Sequence, residues 1–166
     1  MSKRPLAVIA IVLAVAAAVL LATQSKHSTA QAAESPPPIA PTTAQLVNTA
    51  ISAAALTYGE SAPTDIQEAT AGFATAAHVL DPTGSLPTVV DPETGKQWSE
   101  SKVDVVSMQG HFTYKGPTPL GQPAPKGTVL TVVVEVATGA VINESLRNVV
   151  PDMSAVNPSV TQWEAQ

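Results

Sequence analysis

The chain contains no cysteine. That excludes disulfides, thiolate nucleophiles, cysteine-ligated metals and lipid attachment through cysteine. Aromatic side chains are scarce, with two Trp, two Tyr and two Phe in 166 residues, so stacking platforms for sugars or bases are few. Positive charge is scarcer still beyond the N-terminus. From Ala33 onward five cations (Lys96, Lys102, Lys115, Lys126, Arg147) face 13 Asp and Glu, a net charge near −8. Such a surface repels phosphate backbones, so no nucleic-acid partner is expected. No G-x-S-x-G elbow, H-E-x-x-H pair or phosphate-cradling glycine loop is present.

What is present begins with an export pattern. Lys3 and Arg4 precede an apolar run from Leu6 to Thr23. A basic segment followed by an apolar one predicts that residues 1–32 are a signal peptide or a membrane anchor. Ala30-Gln31-Ala32 offers a small-x-small cleavage site. The run is also just long enough to span a bilayer at about 1.5 Å per residue. Both outcomes place the rest outside the cytoplasm, secreted or anchored to the outer face of the membrane. Residues 33–42, with Pro36, Pro37, Pro38 and Pro41, read as an extended linker.

Residues 43–154 are expected to form an α+β domain, with one or two helices packed on a small antiparallel sheet, and 155–166 a C-terminal tail. Thr42 with Gln45 is a capping-box pattern, and Val47, Ala50, Ile51, Ala54 and Tyr58 recur at helical spacing before Gly59. Residues 63–80 admit two readings: a second helix opening at Thr64-Asp65, or a strand near Ile66–Ala71 followed by a helix near Phe73–Leu80. From Leu86 the period becomes two. Val106, Met108, Phe112 and Tyr114 fall on one strand face, Ser107, Gln109, His111 and Thr113 on the other. Residues 115–127 hold four prolines and three glycines and read as a loop. Leu130, Val132, Val134 and Val136 then line one face of the strongest strand, with Thr131 and Glu135 interrupting the other.

Val89–Ser101, VVDPETGKQWSES, and Val133–Ser145, VVEVATGAVINES, share six of thirteen residues without a gap. Each Thr-Gly pair stands where two β-runs reverse. The spacing predicts a hairpin turn used twice, with Gly95 and Gly139 in the left-handed region, a G1-type bulge, and the acid four residues before Gly139 capping local N–H groups.

Candidate chemistry is thin. Ser107, His111 and Asp104 share one segment, yet Ser107 and His111 are four residues apart on a strand, roughly 13 Å by rise, and Asp104 faces the other way. His27, His78 and His111 follow no metal-ligand spacing. Asp91/Glu93 and Glu60/Asp65 are carboxylate pairs suited to glycosidase work only if aromatic platforms such as Trp98 or Trp163 flank them. No catalytic, cofactor-binding or metal residue is assigned, and no cofactor is expected.

An apolar strand ending in Gly110-x-Phe112, a Gly/Pro loop to Gly127, Val129–Glu135, Thr138-Gly139 and Pro151-Asp152-Met153 resemble a type of small exported bacterial protein. The acid-x-x-Thr-Gly hairpin resembles PepSY-type modules. That resemblance implies strands paired against a helix outside the membrane and a binding or peptidase-regulating role, with no site residue to transfer. A cystatin-type inhibitor would share the architecture, but its Q-x-V-x-G loop is absent. The expected function is an exported, non-enzymatic binding or regulatory module for an unidentified protein or cell-envelope partner. The alternative is a hydrolase or metal-dependent enzyme whose residues converge only in space.

Overall fold

The computed structural model describes residues 39–81, 95 and 97–164. The signal or anchor at 1–32, most of the linker, His27, and the Asp91/Glu93 turn lie outside them. Helix α1, Thr43–Tyr58, starts on the expected capping box: the Thr42 side chain accepts from Gln45 N–H, and the Gln45 side chain reaches back to Thr42 N–H at 2.8 Å. It ends at Gly59, φ 73°, whose N–H meets the Ala54 and Ala55 carbonyls. Leu46, Val47, Ala50, Ala54 and Tyr58 are its buried stripe. Ala50 and Ala54 leave almost no side-chain volume, so the helix lies close on the sheet.

Residues 63–80 follow the strand-then-helix reading. β1 is Thr64–Gly72 and α2 is Phe73–Leu80. The alternative helix opening at Thr64-Asp65 does not form, because this segment fills the slot between two other strands and its backbone groups are taken by the ladder. A turn of 3-10 helix at Trp98–Glu100 precedes β2, Lys102–Thr113. β3, Lys126–Glu135, and β4, Val141–Arg147, follow. The segment expected as a tail instead returns to the sheet: after α3, Met153–Val156, strand β5, Thr161–Trp163, pairs antiparallel with β1. A three-residue edge strand is too short to show periodicity, which is why it read as turn and tail.

The sheet is antiparallel in the order β4-β3-β2-β1-β5. α1 packs over β2 and β3 on one face, where Ile66, Val106, Met108, Phe112, Leu130, Val132 and Val134 meet it. α2, the 3-10 turn and α3 cover the opposite face, with Phe73, Leu80, Trp98, Met153 and Val156 against Val103, Val105 and Val133. Coverage on both faces explains why Ser107 and Thr131, which alternation placed away from the first core, are also buried. Among the described residues no helix is long and apolar enough to cross a membrane.

Both repeated glycines are left-handed, Gly95 at φ 69° and Gly139 at φ 76°. In the β3–β4 turn Gly139 N–H donates to the Glu135 carbonyl at 2.8 Å; the register slip of this hairpin lies further along, where Val133 and Val134 face Asn143 and Val141 and Ile142 is the extra residue, rather than at the glycine as a G1-type bulge would be. The buried Glu135 carboxylate accepts from the hydroxyls of Thr138, 2.6 Å, and Ser101, 3.0 Å, so side-chain partners join it at the turn. A Cβ on Gly139 would also press on Pro41 Cγ at 3.3 Å. Gly139→Val should therefore cost about 1–3 kcal/mol, read as a lowered urea midpoint; an unchanged midpoint would contradict the strained turn.

Candidate functional site

The residues weighed for catalysis are kept apart. Asp104 is buried on the α1 face, Ser107 is buried on the opposite face, and His111 is exposed within a β2 irregularity between Gln109 and Phe112. His78 is exposed on α2. The cleft beside His111, about 340 Å³, is lined by Lys126, Thr128 and Asn148 among others, and among the described residues neither His78 nor a carboxylate lines it. No three His, Asp or Glu among the described residues converge on a possible metal position. Glu60 is committed to structure. Its carboxylate accepts from His111 N–H at 2.9 Å and Ala62 N–H at 3.0 Å, and the His111 N–H, followed by that of Ala62, holds its pKa below the usual carboxylate range.

Pairing of β1 with β2 creates a polar cluster invisible in the sequence. Glu68 and Asp104, 4 % and 1 % exposed, lie on diagonal positions of one sheet face. Thr70 Oγ1 donates to Asp104 Oδ1 at 2.6 Å and lies 3.0 Å from Glu68 Oε1. A hydroxyl has one proton, so it cannot fully serve two carboxylates. Asp104 Oδ2 is buried without a hydrogen-bond donor. Burial, then the Asp104 charge, push the Glu68 carboxyl up; the Thr70 and Thr161 hydroxyls offset part of this. Glu68 is accordingly harder to ionise than a free glutamate would be. The cluster fastens the C-terminal segment: Thr161 of β5 bonds Glu68, and Asn157 Nδ2 donates to the Thr70 carbonyl at 2.7 Å.

A second feature opens to solvent. At the start of β1 the register slips between Thr64 and Gln67. Asp65 sits there at φ 48°, the one non-glycine with positive φ among the described residues. A cleft of about 510 Å³ lies beside it, lined by Pro63, Thr64, Asp65, Gln162, Trp163 and Glu164 among others. The Trp163 Nε1–H is buried and has no acceptor. A strained backbone, a bulge and an unmet donor thus coincide at one sheet edge, features that folding alone disfavours. The lining offers an aromatic residue and two carboxylates. Sequence reasoning missed it: Asp65 and Trp163 meet only through the β1–β5 pairing, and the strand signal of β5 is three residues long.

Asp65→Gly should leave stability within about 1 kcal/mol of the parent, because relief of the left-handed strain offsets the greater entropy lost by glycine. Asp65→Val should cost about 1–3 kcal/mol. Equal urea midpoints for the Gly and Val variants would show that the backbone at Asp65 is unstrained. Comparison of the chain with protein-family models, with curated proteins and with solved structures returns no match.

Proposed function

We propose that the protein is an exported, non-enzymatic binding or regulatory module that engages a protein or cell-envelope partner at the β1–β5 edge. The observation that carries the reading is the coincidence of strained Asp65, orphaned Trp163 Nε1 and an open cleft at the sheet edge. Strain and unmet hydrogen bonds concentrate where a ligand restores the balance. The separation of Ser107, Asp104 and His111 supports a role without catalysis. The acid-x-x-Thr-Gly hairpin, with its left-handed glycine and a helix laid on the sheet, supports kinship in design with PepSY-type modules.

Export is supported by Lys3 and Arg4 ahead of the apolar run. A periplasm-active reporter fused after Gln166 should be active and a cytoplasm-active one silent; the opposite pattern refutes export. For binding, a photo-reactive residue replacing Gln162 in the full chain should cross-link in cells to a discrete envelope component, and Trp163→Ala in the same chain should abolish that product. Cross-linking indifferent to Trp163 would overturn the edge as the binding surface.

A further inference from the structure

We propose that the cleft at the β1–β5 edge takes a cationic, extended segment of another protein, a lysine or arginine side chain resting on Trp163 between Asp65 and Glu164. The inference rests on the binding reading above and assigns its ligand class.

Charge is the first ground. Among the described residues Asp65 and Glu164 are the ionisable side chains of the lining, with no Lys, Arg or His beside them. Across residues 28–94 the chain carries no Lys or Arg at all, so the neighbouring chain supplies no internal cation to the cleft wall formed by residues 62–65. An ammonium or guanidinium group is the complement of two carboxylates beside an indole face, where attraction to the ring quadrupole adds to the charge term.

Edge geometry is the second. Among the described residues β5 is the terminal strand in the order β4-β3-β2-β1-β5 and pairs with β1, through Ile66–Trp163, Gln67–Gln162 and Glu68–Thr161. Among the same residues no strand lies on its outer side, the position an extended chain takes when it adds to a sheet. The Trp163 indole, whose buried Nε1–H lacks an acceptor, belongs to this same strand.

The test uses the full chain in detergent micelles, ¹⁵N-labelled at tryptophan. Two indole signals are expected, from Trp98 and Trp163, and Trp163→Phe assigns them. The probes are blocked tetralysine, blocked tetraglutamine and calcium chloride. Tetralysine should move the Trp163 signal saturably while Trp98 stays in place. The affinity should fall at least tenfold when Asp65→Asn and Glu164→Gln are combined; Asn retains the left-handed backbone at this position. Equal movement with tetraglutamine, an unchanged affinity in the double variant, or displacement of the peptide by calcium at the same site would each overturn the cationic assignment while leaving the binding reading intact. An indole that no probe moves overturns the assignment as well. The binding reading then falls too only if the Gln162 cross-link is also absent.

Discussion

Ionising the buried Glu68 beside Asp104 should unfasten one side of the sheet. Fold stability is expected to fall as pH rises above the usual carboxylate range, and Glu68→Gln should flatten that fall. A carboxyl whose pKa is raised by folding contributes stability that is complete below its unfolded pKa and is lost as pH climbs through the folded one. For Glu68 the window opens at the ordinary value of 4.5 and closes at the higher folded value set by burial and by Asp104. Glu60 acts in the opposite direction: its pKa is lowered by the His111 and Ala62 N–H groups, so its contribution is present above 4.5 and lost as pH falls. Tyr58, pushed up to about 12 by burial and by the Glu144 carboxylate, loses its contribution only as pH rises from 10 through about 12. The difference between wild type and Glu68→Gln in urea midpoints from pH 5 to 9 therefore reports Glu68. Glu68→Ala should be worse than Glu68→Gln, at about 3–5 kcal/mol, because it empties the buried position beside Asp104 and removes the partner of Thr161. A flat wild-type profile, or an undiminished slope in Glu68→Gln, would contradict the raised Glu68 pKa.

Phe112→Ala should cost about 3–5 kcal/mol. Phe112 is 1 % exposed and lies beyond the β2 irregularity, where Tyr58 at the end of α1 meets it edge-on, with ring centroids 6.3 Å apart and planes at 88°. Tyr114 leans on the same tyrosine at 5.9 Å. Truncation removes the ring on which the last turn of α1 rests and leaves a cavity that the ladder of β2 with β3 cannot close. Tyr58→Phe keeps that ring contact and loses only the bond to Glu144, so about 1 kcal/mol is expected. Similar midpoint losses for the two variants would show that the hydroxyl, and not ring packing, holds α1 to the sheet.

The parts of this fold that can be read from sequence are those whose signals are local. Thr42, Gln45 and Gly59 bracket α1 within one segment, and the period of two in Val129–Glu135 marks a strand wherever it pairs. The turn glycines are legible for the same reason, since a left-handed position is set by its immediate neighbours. Ser107 and Thr131 were legible as facing away from the first core, but not as buried, because burial depends on α2 and α3 arriving on the second face. Glu68 and Asp104 carry no signal at all: they belong to strands joined by a long connection, and only the β1–β2 register makes them diagonal neighbours. The cleft is less legible still. Its aspartate is unusual in φ, which no residue type announces, and its tryptophan sits on a strand too short to declare itself.

The most direct measurement compares two full-length chains in cells for retention of the envelope component caught from position 162. One carries Trp163→Ala; the other carries His78→Gln with His111→Gln. Loss of the partner in the first chain and full retention in the second, with both chains at wild-type abundance, is the expected result. Retention in the first and loss in the second would contradict binding at the β1–β5 edge and return attention to the histidines.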